Sequence, residues 1–200
     1  MKIGPKYKIC RRLNEKVFGK CQTTKFSISG SANKNKKSAA PAGRRALSEY
    51  GSQLLEKQKA RYTYGVSEHQ FSRYVRSHQD QTALYSALET RLDNVVFRLG
   101  WAPSRAAARQ AITHGHITVN DHRLSIPSYA VKIGDKIRIK PASKNSACFR
   151  NLDERLRDYQ PPAWLQAPAA GEGVISTAPL AGSAEMNLNF GAIIDFYSRV

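Results

Sequence analysis

RLDNVVFRLGWAPSRAAARQAITHGHITVND, residues 91–121, carries two helical patterns and a turn signal in one run. Leu92, Val95, Val96 and Leu99 recur at i, i+3, i+4 and i+7, which makes one apolar stripe on a helical stretch predicted over 82–99. Gly100 supplies the residue type that closes helices. Ser104 stands as N-cap of a second helix that runs to about Thr113 and stops at Gly115. Arg105 and Arg109 are four apart and share a face of it, with Ala107, Ala108 and Ala111 roughly opposite. Small alanines let this helix lie close against its neighbour, so the pair reads as a helical hairpin.

Outward from the hairpin, short β-prone pieces follow at Ile117 to Val119, Arg123 to Ile126, Val131 to Ile133 and Lys136 to Ile139. Asn120-Asp121, Pro127 and Gly134-Asp135 separate them, which predicts a small meander. Upstream, Leu47 to about Val75 carries good helix formers broken at Gly65, hence two short helices. Residues 26–45 are rich in Ser, Ala, Gly, Asn and Lys without apolar period, and residues 1–45 as a whole are expected to order only against a partner. Downstream, a charged helix-like segment at Asn151 to Tyr159 meets Pro161-Pro162, a Gly/Ala-rich stretch follows, and a β-prone run at Ile193 to Tyr197 is expected to pack back on the body.

The 200 residues hold 32 Lys and Arg against 15 Asp and Glu, a formal net charge of +17. Such a surface seeks a polyanion. There are 13 basic against 2 acidic residues in 1–50, 7 against 5 in 51–100, 9 against 2 in 101–150, and 3 against 6 in 151–200. The partner is therefore expected on the first and third quarters, and the tail is not a basic arm. An anionic membrane would attract the same charge, but its binders use a long amphipathic helix or a second anchor, and the sequence shows neither. No run approaches the roughly eighteen apolar residues of a spanning helix, and the start lacks the apolar core of a secretory signal. The expected place is the cytoplasm or an equivalent organellar compartment. Cys10, Cys21 and Cys148, an odd number at wide spacing, suit reduced thiols.

On a helical wheel Arg91, Asn94 and Arg98 fall together on a side away from the apolar stripe, while Arg105 and Arg109 are expected to point outward from the next helix. Guanidinium groups offer planar, paired donors that match phosphate oxygens. Ser104 and Gln110 on the second helix, and His114, His116, Asn120, His122 and Lys132 around the meander, add further donors. A charged helix face is often merely solvated, and the charge of +17 is what favours binding here.

The run at 91–121, continued by IPSYAVKIGD at 126–135, resembles the RNA-binding domain named after ribosomal protein S four. That domain also occurs on pseudouridine synthases, some tyrosyl-transfer-RNA synthetases and a small heat-shock protein, so alone it implies RNA binding rather than the ribosome. GPKYKICRR at 4–12, GRRALSEYG at 43–51, EKQKARYTYG at 56–65 and EHQFSRYV at 68–75 resemble the N-terminal region of the bacterial and organellar ribosomal protein itself. PAWL at 162–165 and IIDFYSR at 193–199 resemble its C-terminal segment, while 13–42 and 166–190 match loosely.

What the resemblance implies is an α+β protein: a basic extension over 1–45, a helical domain over 46–88, the S-four RNA-binding domain over 89–150 and a C-terminal segment over 151–200. It further implies a structural constituent of the small ribosomal subunit, a primary assembly protein on the five-prime domain of its ribosomal RNA. Proteins S five and S three are the implied neighbours, near the messenger RNA entry channel, with a part in translational accuracy. Carried over residue by residue, it implies RNA contacts for Lys6, Lys8, Arg11, Arg12, Arg44, Arg45, Lys57 and Lys59. Tyr50, Tyr64 and Tyr74 are open between stacking on bases and packing.

Some members of that family hold zinc with four cysteines. Here Cys10 and Cys21 are eleven positions apart with no CxxC pair, and His114 and His116 lack a third ligand, so no metal or cofactor is expected. An RNA-modifying enzyme with the same grip would need a catalytic domain on the order of a hundred residues, which the chain does not supply. Glu89, Asp93 and Asp121 read as helix or turn residues rather than a catalytic acid. A nonspecific coat protein is the remaining competitor, and it would bind duplex DNA and folded RNA alike.

Overall fold

The apolar stripe does form a helix, but one shorter than the periodicity suggests. In the computed structural model, which describes residues 3–24, 26–28, 48–146, 148–157, 159–180 and 188–199, the stretch over 82–99 is two helices. With α1 at Lys6–Leu13, α2 at Glu49–Tyr64 and α3 at Glu68–Ser77 upstream, these are α4, Gln81–Glu89, and α5, Leu92–Arg98. The break has a tertiary cause. Arg91 is extended, at φ −62° and ψ 135°, and bridges Ala130. Leu92 N–H donates to Tyr129 C=O at 2.9 Å, and Val131 N–H to Thr90 C=O at 2.9 Å. A strand-like pairing thus replaces one turn of helix.

The second helix, α6, is Arg105–Thr113, and Ser104 caps it by accepting from Ala107 N–H at 3.2 Å. Gly100 takes φ +74° between the two helices of the hairpin. Beyond α6 come β1, Ile117–Val119, β2, His122–Arg123, and β3, Lys136–Ile139. The Asn120-Asp121 turn has φ of 50° and 65°, the left-handed pair that a two-residue hairpin requires. Of the expected strands, the 123–126 piece is reduced to Arg123 in β2, with Leu124 N–H donating to Ile117 C=O at 3.5 Å, and Val131 to Ile133 forms no strand.

The Gly/Ala-rich stretch instead supplies sheet. After the short α7, Leu152–Leu156, β4, Leu165–Ala169, and β5, Glu172–Ile175, form an antiparallel hairpin that adds to β3. The described strands run in the order β2-β1-β3-β5-β4. Gly173 lets the hairpin close on the helices, because a Cβ there would lie 2.5 Å from Leu99 Cδ1. Leu92, Val96, Leu99, Trp101, Ile112, Ile117 and Ile137 meet in the core of this unit.

The chain divides into two compact units, Ser77–Asn187, just described, and Met1–Arg76 with Leu188–Val200. In the second of these, within the segment 1–45 expected to order only against a partner, Lys6–Leu13 form α1, which buries Cys10 and Leu13. The β-prone run at 193–197 is helical, within α8, Phe190–Ser198. Asn189 caps α8 by accepting from Ala192 N–H at 3.0 Å, and α8 packs on α2 with Tyr50 and Phe196 ring centroids 5.3 Å apart. Burial of Phe190, Ile193 and Phe196 along one side overrides the β propensity of the individual residues.

Candidate nucleic-acid interface

The side of α5 that carries Arg91, Asn94 and Arg98 faces inward. These residues are 3%, 1% and 6% exposed, so the outward orientation expected for them is corrected. Two carboxylates turn them in. Asp93, itself buried, accepts from Arg91 Nε at 3.0 Å and Nη2 at 2.8 Å. It also accepts from Arg109 Nε at 3.0 Å and Nη2 at 2.7 Å across the hairpin. Glu89 accepts from Arg98 Nε at 3.0 Å and from Asn94 Nδ2 at 2.8 Å. Asn94 Oδ1 in turn accepts from Arg105 Nε at 2.6 Å.

Charges removed from water persist only when paired and hydrogen-bonded, which is the condition this network meets. Arg105 and Arg109 are half-buried, the former stacked 4.5 Å from the Phe97 ring centroid. They are anchored at the hairpin's edge rather than pointing freely outward. Sequence reading missed Glu89 and Asp93 as the organising groups.

Ser104, Gln110, His114, Asn120 and Lys132 are exposed. Asn120 also braces the neighbouring turn, donating to Asp135 Oδ1 at 2.8 Å and accepting from Lys136 N–H at 2.9 Å. His116 is half-buried, with Nδ1 2.9 Å from Ser143 Oγ. Arg123, Lys136 and Lys140, exposed in the same unit, were not singled out from sequence.

In the N-terminal unit Lys6, Lys8, Arg11 and Arg12 are all exposed on α1. Lys57 is not: it is 7% exposed, donates to Glu68 Oε1 at 2.8 Å and lies 4.6 Å from the Phe196 ring centroid. Glu68 also accepts from Tyr197 at 2.6 Å. Burial would raise its pKa, but the hydrogen bonds from Lys57 and Tyr197 outweigh that and hold it below the ordinary carboxylate value. Lys59 bridges Glu56 at 2.7 Å and Glu15 at 3.3 Å. Burial would lower its pKa, yet those carboxylates raise it. Tyr64 is buried, Tyr74 half-buried and Tyr50 exposed. Arg44 and Arg45 lie outside the described residues.

Residues 1–90 match the Ribosomal protein S4/S9 N-terminal domain, and residues 90–137 match the S4 domain. The small ribosomal subunit protein uS4 of Roseiflexus castenholzii is 44% identical over 205 residues, covering 98% of both chains. That of Chloroflexus aurantiacus is 42% identical over 211 residues with the same coverage, and that of Herpetosiphon aurantiacus 46% over 168 residues, 80% of each. The chain belongs to the uS4 family.

A uS4-family chain is a structural, non-enzymatic protein of the small ribosomal subunit, and the S4 domain is its RNA-binding module. No described helix is long and apolar enough to cross a membrane. Cys10 and Cys21 lie together, fully buried with Phe26, and burial followed by the hydrogen bond with Cys10 pushes the Cys21 thiol up to about 11. Among the described residues no group of three or more His, Cys, Asp and Glu side chains is placed to hold a metal.

Proposed function

We propose that this chain is a primary assembly protein that binds the five-prime domain of small-subunit ribosomal RNA in the cytoplasm. On this reading it lies beside proteins S five and S three near the messenger RNA entry channel and contributes to translational accuracy. The observation that carries the reading is that Lys6, Lys8, Arg11 and Arg12 are all exposed on one folded helix in a chain of net charge +17. Phosphate contacts of that kind dominate affinity for nucleic acid and release counterions.

The proposed contacts are these four residues, with Ser104, Arg105, Arg109, Gln110, His114, His116, Asn120 and Lys132 from the S4-domain unit. Lys59 is left out of the direct contacts, since two carboxylates already hold it. Arg91, Asn94, Arg98 and Lys57 support the contacts from within. A salt titration of the full chain on a five-prime-domain transcript tests the proposal. Replacing Lys6, Lys8, Arg11 and Arg12 by Ala should reduce the log–log slope by somewhat under one unit per lost phosphate contact. Equal affinity of the wild-type chain for duplex DNA and for the transcript, with one slope for both, would instead mark a nonspecific coat protein.

A further inference from the structure

The described residues include two strongly exposed tyrosines on helices, in opposite electrostatic settings. Tyr50 is 54% exposed and stands beside Glu49, which pairs with Arg199 at 2.8 Å. Tyr7 is 47% exposed on α1, between exposed Lys6 and Lys8, and the first turn of α1 has no acidic residue. Only the second setting attracts phosphate.

What lies beneath Tyr7 sets its geometry. Phe26 is buried, and its ring centroid is 5.1 Å from that of Tyr7 at a tilt of 37°. The Arg11 guanidinium lies 5.6 Å from the same centroid. Tyr7 and Arg11 are four residues apart, hence neighbours on one helix face, and a single buried ring backs both. A tyrosine with two side-chain torsions, already braced from one side, loses little freedom when something stacks on the other. A guanidinium lying over a ring keeps its N–H edges in the plane and directed away from that ring, where a phosphate can accept from them.

We infer that Tyr7 and Arg11 form a site for one unpaired nucleotide of the ribosomal RNA, the Tyr7 ring stacking on its base and Arg11 meeting its phosphate. The inference rests on the reading of the chain as an RNA-binding protein and names a ligand class within it. Ribosomal RNA offers such ligands, because proteins read its loops and bulges through splayed bases on aromatic rings. Stacking of this kind tolerates any base and is largely independent of salt, whereas a phosphate contact is not.

That difference provides the experiment. Binding of the full chain to a five-prime-domain transcript is measured across a salt series for Tyr7→Leu, Tyr7→Phe and Arg11→Ala. Tyr7→Leu should weaken binding roughly tenfold at every salt concentration with the slope unchanged, and Tyr7→Phe should bind as wild type. Arg11→Ala should reduce the slope by somewhat under one unit. Undiminished binding by a folded Tyr7→Leu chain would overturn the site while leaving RNA binding intact. Should Tyr7→Leu not fold, Tyr7→Trp keeps the ring: its exposed indole should be quenched on adding the transcript, and unchanged emission would overturn the inference. If the wild-type chain does not bind the transcript at all, the functional reading fails first and the site with it.

Discussion

Asp93 accepts from Arg91 and Arg109, and the first of these arginines is almost wholly removed from water. Replacing Asp93 by Asn should therefore destabilise the chain by about 3 kcal/mol in urea denaturation, because it leaves a buried cation without its carboxylate. A change under about 0.5 kcal/mol would contradict the network. From sequence, Arg105 and Arg109 are expected to point outward, where surface substitutions usually cost little. The structure puts the cost of the Arg105→Ala/Arg109→Ala double variant at about 1–3 kcal/mol instead, since Asp93 and Asn94 each lose a partner. These pairings were not legible. Arg109 lies sixteen positions from Asp93, and Arg98 nine from Glu89, so no helix spacing rule joins them. In the N-terminal unit, Glu68 titrates below its ordinary value of 4.5. Its contribution to stability is complete above that value and is lost as pH falls through the lower, folded one. Glu68→Gln should flatten this acid limb in thermal melts between pH 3 and about 6, by under ~1 kcal/mol because the carboxylate is partly screened by solvent. An unchanged limb would show that Lys57 and Tyr197 do not hold the charge.

The elements that could be read from sequence are those whose signals are local. The α5 stripe, the Ser104 cap and the Asn120-Asp121 turn each follow from residues within a few positions. Ser104→Ala should cost about 1 kcal/mol, the usual worth of a side-chain N-cap, and a denaturation midpoint equal to wild type would contradict that role. What depends on distant pairing was not readable. The break at Thr90-Arg91 exists because Ala130 and Tyr129 supply strand partners, and α8 is a helix because α2 offers a face for Phe196. The β4–β5 hairpin is the clearest case, since LQAPA and EGVI carry weak β signals yet complete the sheet through β3. Gly173 is its tightest point. Gly173→Ala should destabilise by about 1–3 kcal/mol through overpacking on Leu99, which is enclosed by core and cannot swing clear. Full stability for that variant would mean the hairpin sits farther from the helices than described.

At the scale of the whole molecule, charge told more about function than about which residues serve it. The excess in the first and third quarters directs attention to α1 and to the S4-domain unit, because net field depends on composition alone. It does not distinguish an arginine turned inward to Glu89 from one turned outward to solvent, and Arg98 and Arg11 show both outcomes. The α+β class was legible from the hairpin and turns, while the joining of the C-terminal helix to the N-terminal unit required the folded chain. The proposed function requires the basic residues to recognise one part of the small-subunit ribosomal RNA rather than polyanions at large. Competition binding distinguishes the two: full-length protein, a five-prime-domain transcript and a three-prime-domain transcript of equal length, at one salt concentration near 0.15 M. A primary assembly protein of the five-prime domain should prefer that transcript by at least about a hundredfold, close to 3 kcal/mol; equal affinity for the two transcripts would rule the specificity out.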